Sequence, residues 1–292
     1  MKKLLGLMAC VVLLTGCNIK TYLMDDIEIY ASAYPIEYIT TVLYKEHSTI
    51  KSIYPTGVNI NEYELTKNQV ANYSNAGLFV YAGLMKKGDK NIEAEYASSM
   101  IEKSRNIKII DASIGMEYNN NLEERWLNPS NMLMMANNVV AGLNEYIDNP
   151  YLLKDIQKNY DKFKIDLSAL DADFKTMYEN ATTKTIVVSD DAFKFLEKYN
   201  FNVISLEEND NLTTKTISDV KTMIVNKQVS YIFVRNDQER SFTIQNIVKQ
   251  TNVRILDINM LTSITEAQRE NKDDYLSLMK NNILQFQMEV YK

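Results

Sequence analysis

The side chains that could do chemistry in this sequence are overwhelmingly carboxylates: 38 acidic residues stand against two cysteines, Cys10 and Cys17, and a single histidine, His47. Nucleophilic catalysis needs a thiol or hydroxyl beside a base, yet the sequence has no Cys/His pairing, no Gly-x-Ser-x-Gly turn and no phosphate-cradling glycine loop. The adjacent acids Asp25-Asp26, Glu123-Glu124 and Asp273-Asp274 do not form acid/base pairs, because neighbours on a strand or helix point apart. With no catalytic constellation in view, the chain reads as a binding protein and not as an enzyme. Nineteen tyrosines are the other unusual feature, and their scatter fits packing roles better than a glycan-facing adhesin surface.

The first residues must be set aside before the fold is considered. Lys2 and Lys3 precede an apolar run from Leu4 to Leu14, and Leu14-Thr15-Gly16-Cys17 closes the segment. A run of this length cannot cross a hydrocarbon core, which takes roughly 20 helical residues, so it reads as a signal core and not a transmembrane helix. The tetrapeptide Leu-Thr-Gly-Cys resembles the bacterial lipobox. That resemblance implies a signal peptide over residues 1–16, diacylglycerol on Cys17, a lipid-anchored tether over 17–24, and a mature domain on the extracytoplasmic face of the cell membrane. Two acyl chains give the stable attachment that a single chain does not.

Composition constrains the mature chain beyond this anchor. Cys10 leaves with the signal and Cys17 is lipidated, so no thiol remains for a disulfide or a thiolate site. Loss of Lys2 and Lys3 takes the net charge from −6 to −8, which argues against nucleic acid as a partner. About 276 residues with 46% hydrophobic content can bury a large core, and that length more often makes two lobes than one. Eight glycines, four prolines and no low-complexity run indicate an ordered chain with few long loops.

Strand-like apolar runs occur at Ile27 to Ala31, Ile50 to Tyr54, Leu78 to Tyr81 and Ile107 to Ile110, separated by helix-length polar stretches. The theme repeats with Thr185 to Val188, Val203 to Leu206, Tyr231 to Val234 and Arg254 to Ile258. Alternating strands and helices predict an α/β fold of two lobes, residues 25–148 and 183–292, each a mostly parallel sheet flanked by helices. Between them, Asn149 is a good N-cap followed by Pro150, and apolar residues at 152, 156, 160, 163, 167, 170, 174, 177 and 181 keep one face apolar. The spacing predicts one linking helix over 149–182, a stiff rod on the order of 50 Å at 1.5 Å per residue. A single rod of this kind permits only small hinge motion between the lobes.

Short motifs then fall in a telling order: Ala33-Tyr34-Pro35; Tyr54-Pro55-Thr56-Gly57 followed by Glu62-Tyr63-Glu64-Leu65-Thr66; Ala76 to Leu84; Arg125-Trp126-Leu127-Asn128-Pro129; Ser189 to Leu196; and Tyr275 to Asn282. Together they resemble the metal-binding lipoproteins of zinc and manganese ABC importers, along nearly the whole mature chain. The resemblance implies a monomer that captures a divalent cation between its lobes and delivers it to a membrane permease driven by a cytoplasmic ATPase.

The ligand positions that the resemblance implies carry unexpected residues. The family's first histidine falls on Asn61, the second on Glu124, and the third position, histidine or glutamate, on Asp190. The fourth, an aspartate, falls on Asn259, with Asp257 the nearest carboxylate. His47 occupies a turn that lies at the surface in the family. Zinc sites draw on imidazole and thiolate, whereas amides and carboxylates suit harder cations, so manganese or calcium is expected before zinc, or no cation at all. Two carboxylates meeting from opposite lobes need a cation, a proton or a basic side chain between them. Arg235, at the end of the strand Tyr231 to Val234, is the candidate for that place, where relatives often carry an acid. The alternative function is a surface interaction lipoprotein that keeps the fold and has lost the ion.

Overall fold

The computed structural model describes residues 24–86, 90–116 and 122–292. The signal segment and Cys17 lie outside the described residues. In chain order the strands are β1 (Glu28–Ala31), β2 (Thr49–Ser52), β3 (Leu78–Tyr81), β4 (Met85–Lys86), β5 (Lys90–Asn91), β6 (Lys108–Asp111), β7 (Thr185–Val188), β8 (Asn202–Ser205), β9 (Tyr231–Arg235) and β10 (Arg254–Ile258). The helices are α1 (Tyr34–Tyr44), α2 (Lys67–Tyr73), α3 (Ile92–Lys103), α4 (Glu124–Leu127), α5 (Pro129–Tyr146), α6 (Pro150–Glu179), α7 (Thr214–Val225), α8 (Phe242–Gln250), α9 (Glu266–Glu270) and α10 (Tyr275–Val290).

Two four-stranded parallel sheets form, in the orders β2-β1-β3-β6 and β8-β7-β9-β10. Counted within each lobe, both orders are second, first, third, fourth, so the two lobes share one topology. Helices cover both faces of the central strands, so every residue of β3 and of β9 is buried, and all are apolar except Arg235 at the carboxyl end of β9. Edge strand β2 is half exposed and mixed in character. In each sheet the chain reverses direction of growth between its first and third strands, and the carboxyl ends of those strands frame the crevice where open α/β sheets bind ligands.

α6 is one unbroken helix. Asn149 caps it, its Oδ1 accepting from the backbone N–H groups of Tyr151 and Leu152, and Pro150 supplies the first helical residue. Leu152, Ile156, Phe163, Leu167, Leu170, Phe174 and Met177 are buried along one face. Asn159 is buried among them and donates to the carbonyl of Leu43 at 2.9 Å, which satisfies an amide that the apolar pattern did not suggest. α6 packs on α1 and α5 of the first lobe and on α10 of the second. One continuous apolar core therefore runs from Ile29 through Trp126 and α6 to Phe286, and a smaller core lies beneath α7 and α8. Among the described residues, eight tyrosines, including Tyr44 and Tyr275, are buried in this packing.

Candidate interlobe site

The loop after β7 and the end of β9 place Asp190 and Arg235 side by side at the carboxyl edge of the second sheet. Ser189 fixes the local backbone, its Oγ accepting from Arg235 N at 3.2 Å, and Asp190 caps the next turn through Oδ1 and Ala192 N at 2.8 Å. The Arg235 side chain is 9% exposed and fully engaged. Nη1 donates to Asp190 Oδ2 at 2.7 Å, Nη2 to Glu123 Oε1 at 2.5 Å, and Nε and Nη2 to the two oxygens of Asp237 at 2.7 and 3.1 Å. Glu123 belongs to the first lobe, directly before α4, so one guanidinium joins carboxylates of both lobes. Burial opposes charge on Arg235, but the Asp237 hydrogen bond and the charges of Glu123, Asp190 and Asp237 outweigh it and raise its pKa. Burial also pushes the Glu123 carboxyl above the usual range, against the pull of Arg235, and the nearby Asp190 charge adds to that push.

Other contacts close the same seam. Arg269 forms a two-pronged ion pair with Glu37, at 2.8 and 3.0 Å. Trp126 Nε1 donates to the Met260 carbonyl at 2.8 Å, and Tyr275 Oη donates to the Trp126 carbonyl at 2.5 Å. A gap of about 20 Å³ remains beside Tyr34, Glu37, Thr262 and Arg269, space for about one water.

A pocket of about 170 Å³ stays open beside Ser189, Asp190 and Arg235 on the second lobe, whereas the equivalent crevice of the first lobe is filled. Glu93, fully buried, accepts through Oε2 from the backbone N–H groups of Ala82, Gly83 and Leu84 at 2.8 to 3.1 Å, and through Oε1 from Tyr54 Oη. Arg125 Nη1 donates to the carbonyls of Ala82 and Gly83. Gly83 is required there: its φ is +78°, and a Cβ would stand 2.5 Å from Ser113 Oγ. Glu93 does not announce itself in the sequence, because its stretch reads as ordinary polar helix surface, and Arg125 shows only as the first residue of the tryptophan motif.

The sequence-predicted positions do not all meet. Asp190 and Arg235 do, but the first-lobe carboxylate on Arg235 comes from Glu123 rather than from Glu124, whose place at the start of α4 is half-buried. Asp237, two residues past β9, supplies a third carboxylate that motif comparison missed. Asp257 is 61% exposed and faces Arg240 at 3.9 Å. Asn259 is spent on structure: its Oδ1 accepts from Leu261 N at 2.8 Å, while its backbone pairs with Asn282. Asn61 sits half-buried in the loop before α2. His47 lies between Asp25 and Asp155 at the start of the first sheet. Among the described residues, no group of three or more His, Cys, Asp or Glu side chains is arranged to hold a metal ion. The oxygen-only positions therefore do not fit a histidine-bearing zinc site.

Comparison with known proteins places this chain in a family. The metal ABC transporter substrate-binding lipoprotein ScbA of Streptococcus cristatus is 26% identical over 260 residues, covering 84% of this chain and 83% of its own. The manganese ABC transporter substrate-binding lipoprotein PsaA of Streptococcus mitis is 26% identical over 249 residues, 80% of this chain and 79% of its own. The zinc-bound ZnuA-like domain of Streptococcus pneumoniae AdcA superposes with a TM-score of 0.73 at 19% identity, covering 91% of this chain and 100% of that one. The laminin-binding protein Lmb of Streptococcus agalactiae, described as having adhesin and metal transporting activity, superposes at 0.71 with 18% identity, covering 90% and 99%. Residues 29–288 match the family model ZnuA, zinc-uptake complex component A, and the chain belongs to that family of metal-importer binding proteins.

Proposed function

We propose that this protein is a lipid-anchored, extracytoplasmic relative of the binding components of metal-type ABC importers, in which its own guanidinium closes the cleft where a cation would sit, and that it keeps the fold as a surface interaction lipoprotein. One observation carries this reading: Arg235 joins Glu123 of the first lobe to Asp190 of the second, the position a captured cation would bridge. A buried carboxylate pair demands a positive partner, and here the chain provides it. The anchor rests on the lipobox-like segment ending at Cys17, and the kinship with importer components on the family.

Charge balance favours a second reading, capture of a cation for delivery to a membrane permease driven by a cytoplasmic ATPase. Three carboxylates surround one guanidinium, and if a hard divalent cation, Mn²⁺ or Ca²⁺, displaced Arg235 it would neutralise two of their three negative charges where the guanidinium neutralises one. Elemental analysis of dialysed protein, with melting curves in Mn²⁺, Ca²⁺, Zn²⁺ and Mg²⁺, separates the two. The first reading expects no bound metal and no shift. The second expects stabilisation by Mn²⁺ or Ca²⁺ of about 2.7 kcal/mol at a hundredfold excess over Kd. Stoichiometric zinc that survives dialysis contradicts both.

A further inference from the structure

At the opposite edge of the second sheet lies a groove of about 550 Å³, where the ends of α7 and α8 meet the starts of β9 and β10. Lys227, Lys249 and Arg254 line it, along with Ser230 and Gln250, and no carboxylate is among its lining residues. Lys221 reaches the rim through a 2.7 Å hydrogen bond from Nζ to Gln250 Oε1. Among the described residues none of these four cations is in an ion pair, although the chain carries a net charge of −6. Arg254 lies over the Tyr231 ring, 4.2 Å from its centroid, a contact that holds the planar group while leaving its N–H edge available.

The ordinary reason for cations here is the helix dipole, since α7 and α8 both end at the groove. Two helix termini contribute roughly −0.5 charge each, about −1 against four positive side chains. The surplus of about three positive charges in one concavity is more than the helices require. The volume also exceeds what one phosphate fills.

We propose that this groove is a second binding site, for a soluble polyanion bearing regularly spaced phosphate groups, and that it acts independently of the interlobe site. Position favours a polymer over the anchoring membrane. α6 begins beside Asp25, where Asn149 Nδ2 donates to Asp25 Oδ2 at 3.2 Å, next to the first described residues. It ends beside Thr182, whose N–H meets the Val290 carbonyl, and Lys292, two residues on, donates to Ser230 Oγ in the groove wall. Thirty helical residues at 1.5 Å each hold the groove about 45 Å from the end at which the chain enters from its tether.

The test is titration of the whole chain with labelled long-chain polyphosphate. Wild type is expected to bind, and its affinity to fall about 50-fold between roughly 50 and 200 mM salt, as four phosphate contacts at ~0.7 counterions each require. The triple variant Lys227→Gln, Lys249→Gln, Arg254→Gln should bind at least tenfold more weakly at low salt, with a flatter salt dependence. Arg254→Lys, which keeps the charge and loses the planar fork, should fall between them and serves if the triple variant does not fold. Lys215→Gln, at an exposed lysine near the start of α7 and outside the groove, should bind polyphosphate as wild type does, which ties binding to the groove and keeps it separate from the interlobe reading. No binding at low salt, binding unchanged by the triple substitution, or binding to anionic vesicles without binding to polyphosphate would each overturn the proposal.

Discussion

Glu123 and Asp190, from different lobes, accept from the two terminal nitrogens of the same guanidinium, Nη2 at 2.5 Å and Nη1 at 2.7 Å. Removing that guanidinium strands three buried or half-buried carboxylates. Arg235→Ala is therefore expected to destabilise the fold by about 3–5 kcal/mol near neutral pH, measured by urea denaturation. Adding Glu123→Gln and Asp190→Asn should recover part of the loss, because the variant then buries fewer unpaired charges. A loss below about 1 kcal/mol would mean that water already screens the cluster.

Asp171 on α6 gives a pH-dependent contact to the second lobe. It receives Lys175 Nζ at 2.6 Å, Lys198 Nζ at 2.8 Å and Tyr199 Oη at 2.9 Å. Burial alone would raise its pKa, but these hydrogen bonds overcome it and lower the value to about 2. A carboxyl whose pKa is depressed on folding contributes stability above its unfolded value of about 3.9 and loses it as pH falls through the folded one. Stability should drop by on the order of 1–2 kcal/mol between about pH 4 and pH 2, the lysines being partly solvated. Asp171→Asn should lack that acid-side loss; an identical pH profile for the variant would remove Asp171 from the account.

The linking helix offers a packing test. Leu167 is 1% exposed and Ile165, two residues away, is 68% exposed. Leu167→Ala should cost about 2–5 kcal/mol, and Ile165→Ala only a few tenths. Equal losses at both positions would show that α6 does not run between the lobes as described.

For the anchor, Cys17→Ala is expected to leave an unprocessed precursor or a soluble product, while the wild type partitions into detergent. Wild-type protein free in the medium without lipid mass would refute the assignment.

Periodicity set how much of the fold was legible in the sequence. The stripe from Leu152 to Met177 predicts α6 almost to the residue, and the apolar runs of β3, β7 and β10 coincide with their strands; the other strand ends move by one or two residues. The site was harder, since a four-residue helix such as α4 has too little period to show which of Glu123 and Glu124 turns inward. The Asp257 position could have been read: next to buried Ile258 on an edge strand, alternation sends it outward. Asp237 left no signal, because its role arises only when the loop after β9 folds back on Arg235.

The central claim is that Arg235 takes the place of a bridging cation, and a melting series in Mn²⁺ for wild type and Arg235→Ala tests it most directly. The account predicts an unchanged melting temperature for wild type and a saturable rise for Arg235→Ala, as the ion replaces the lost charge between Glu123 and Asp190. An ion response that is strong in wild type and absent from the variant would contradict it.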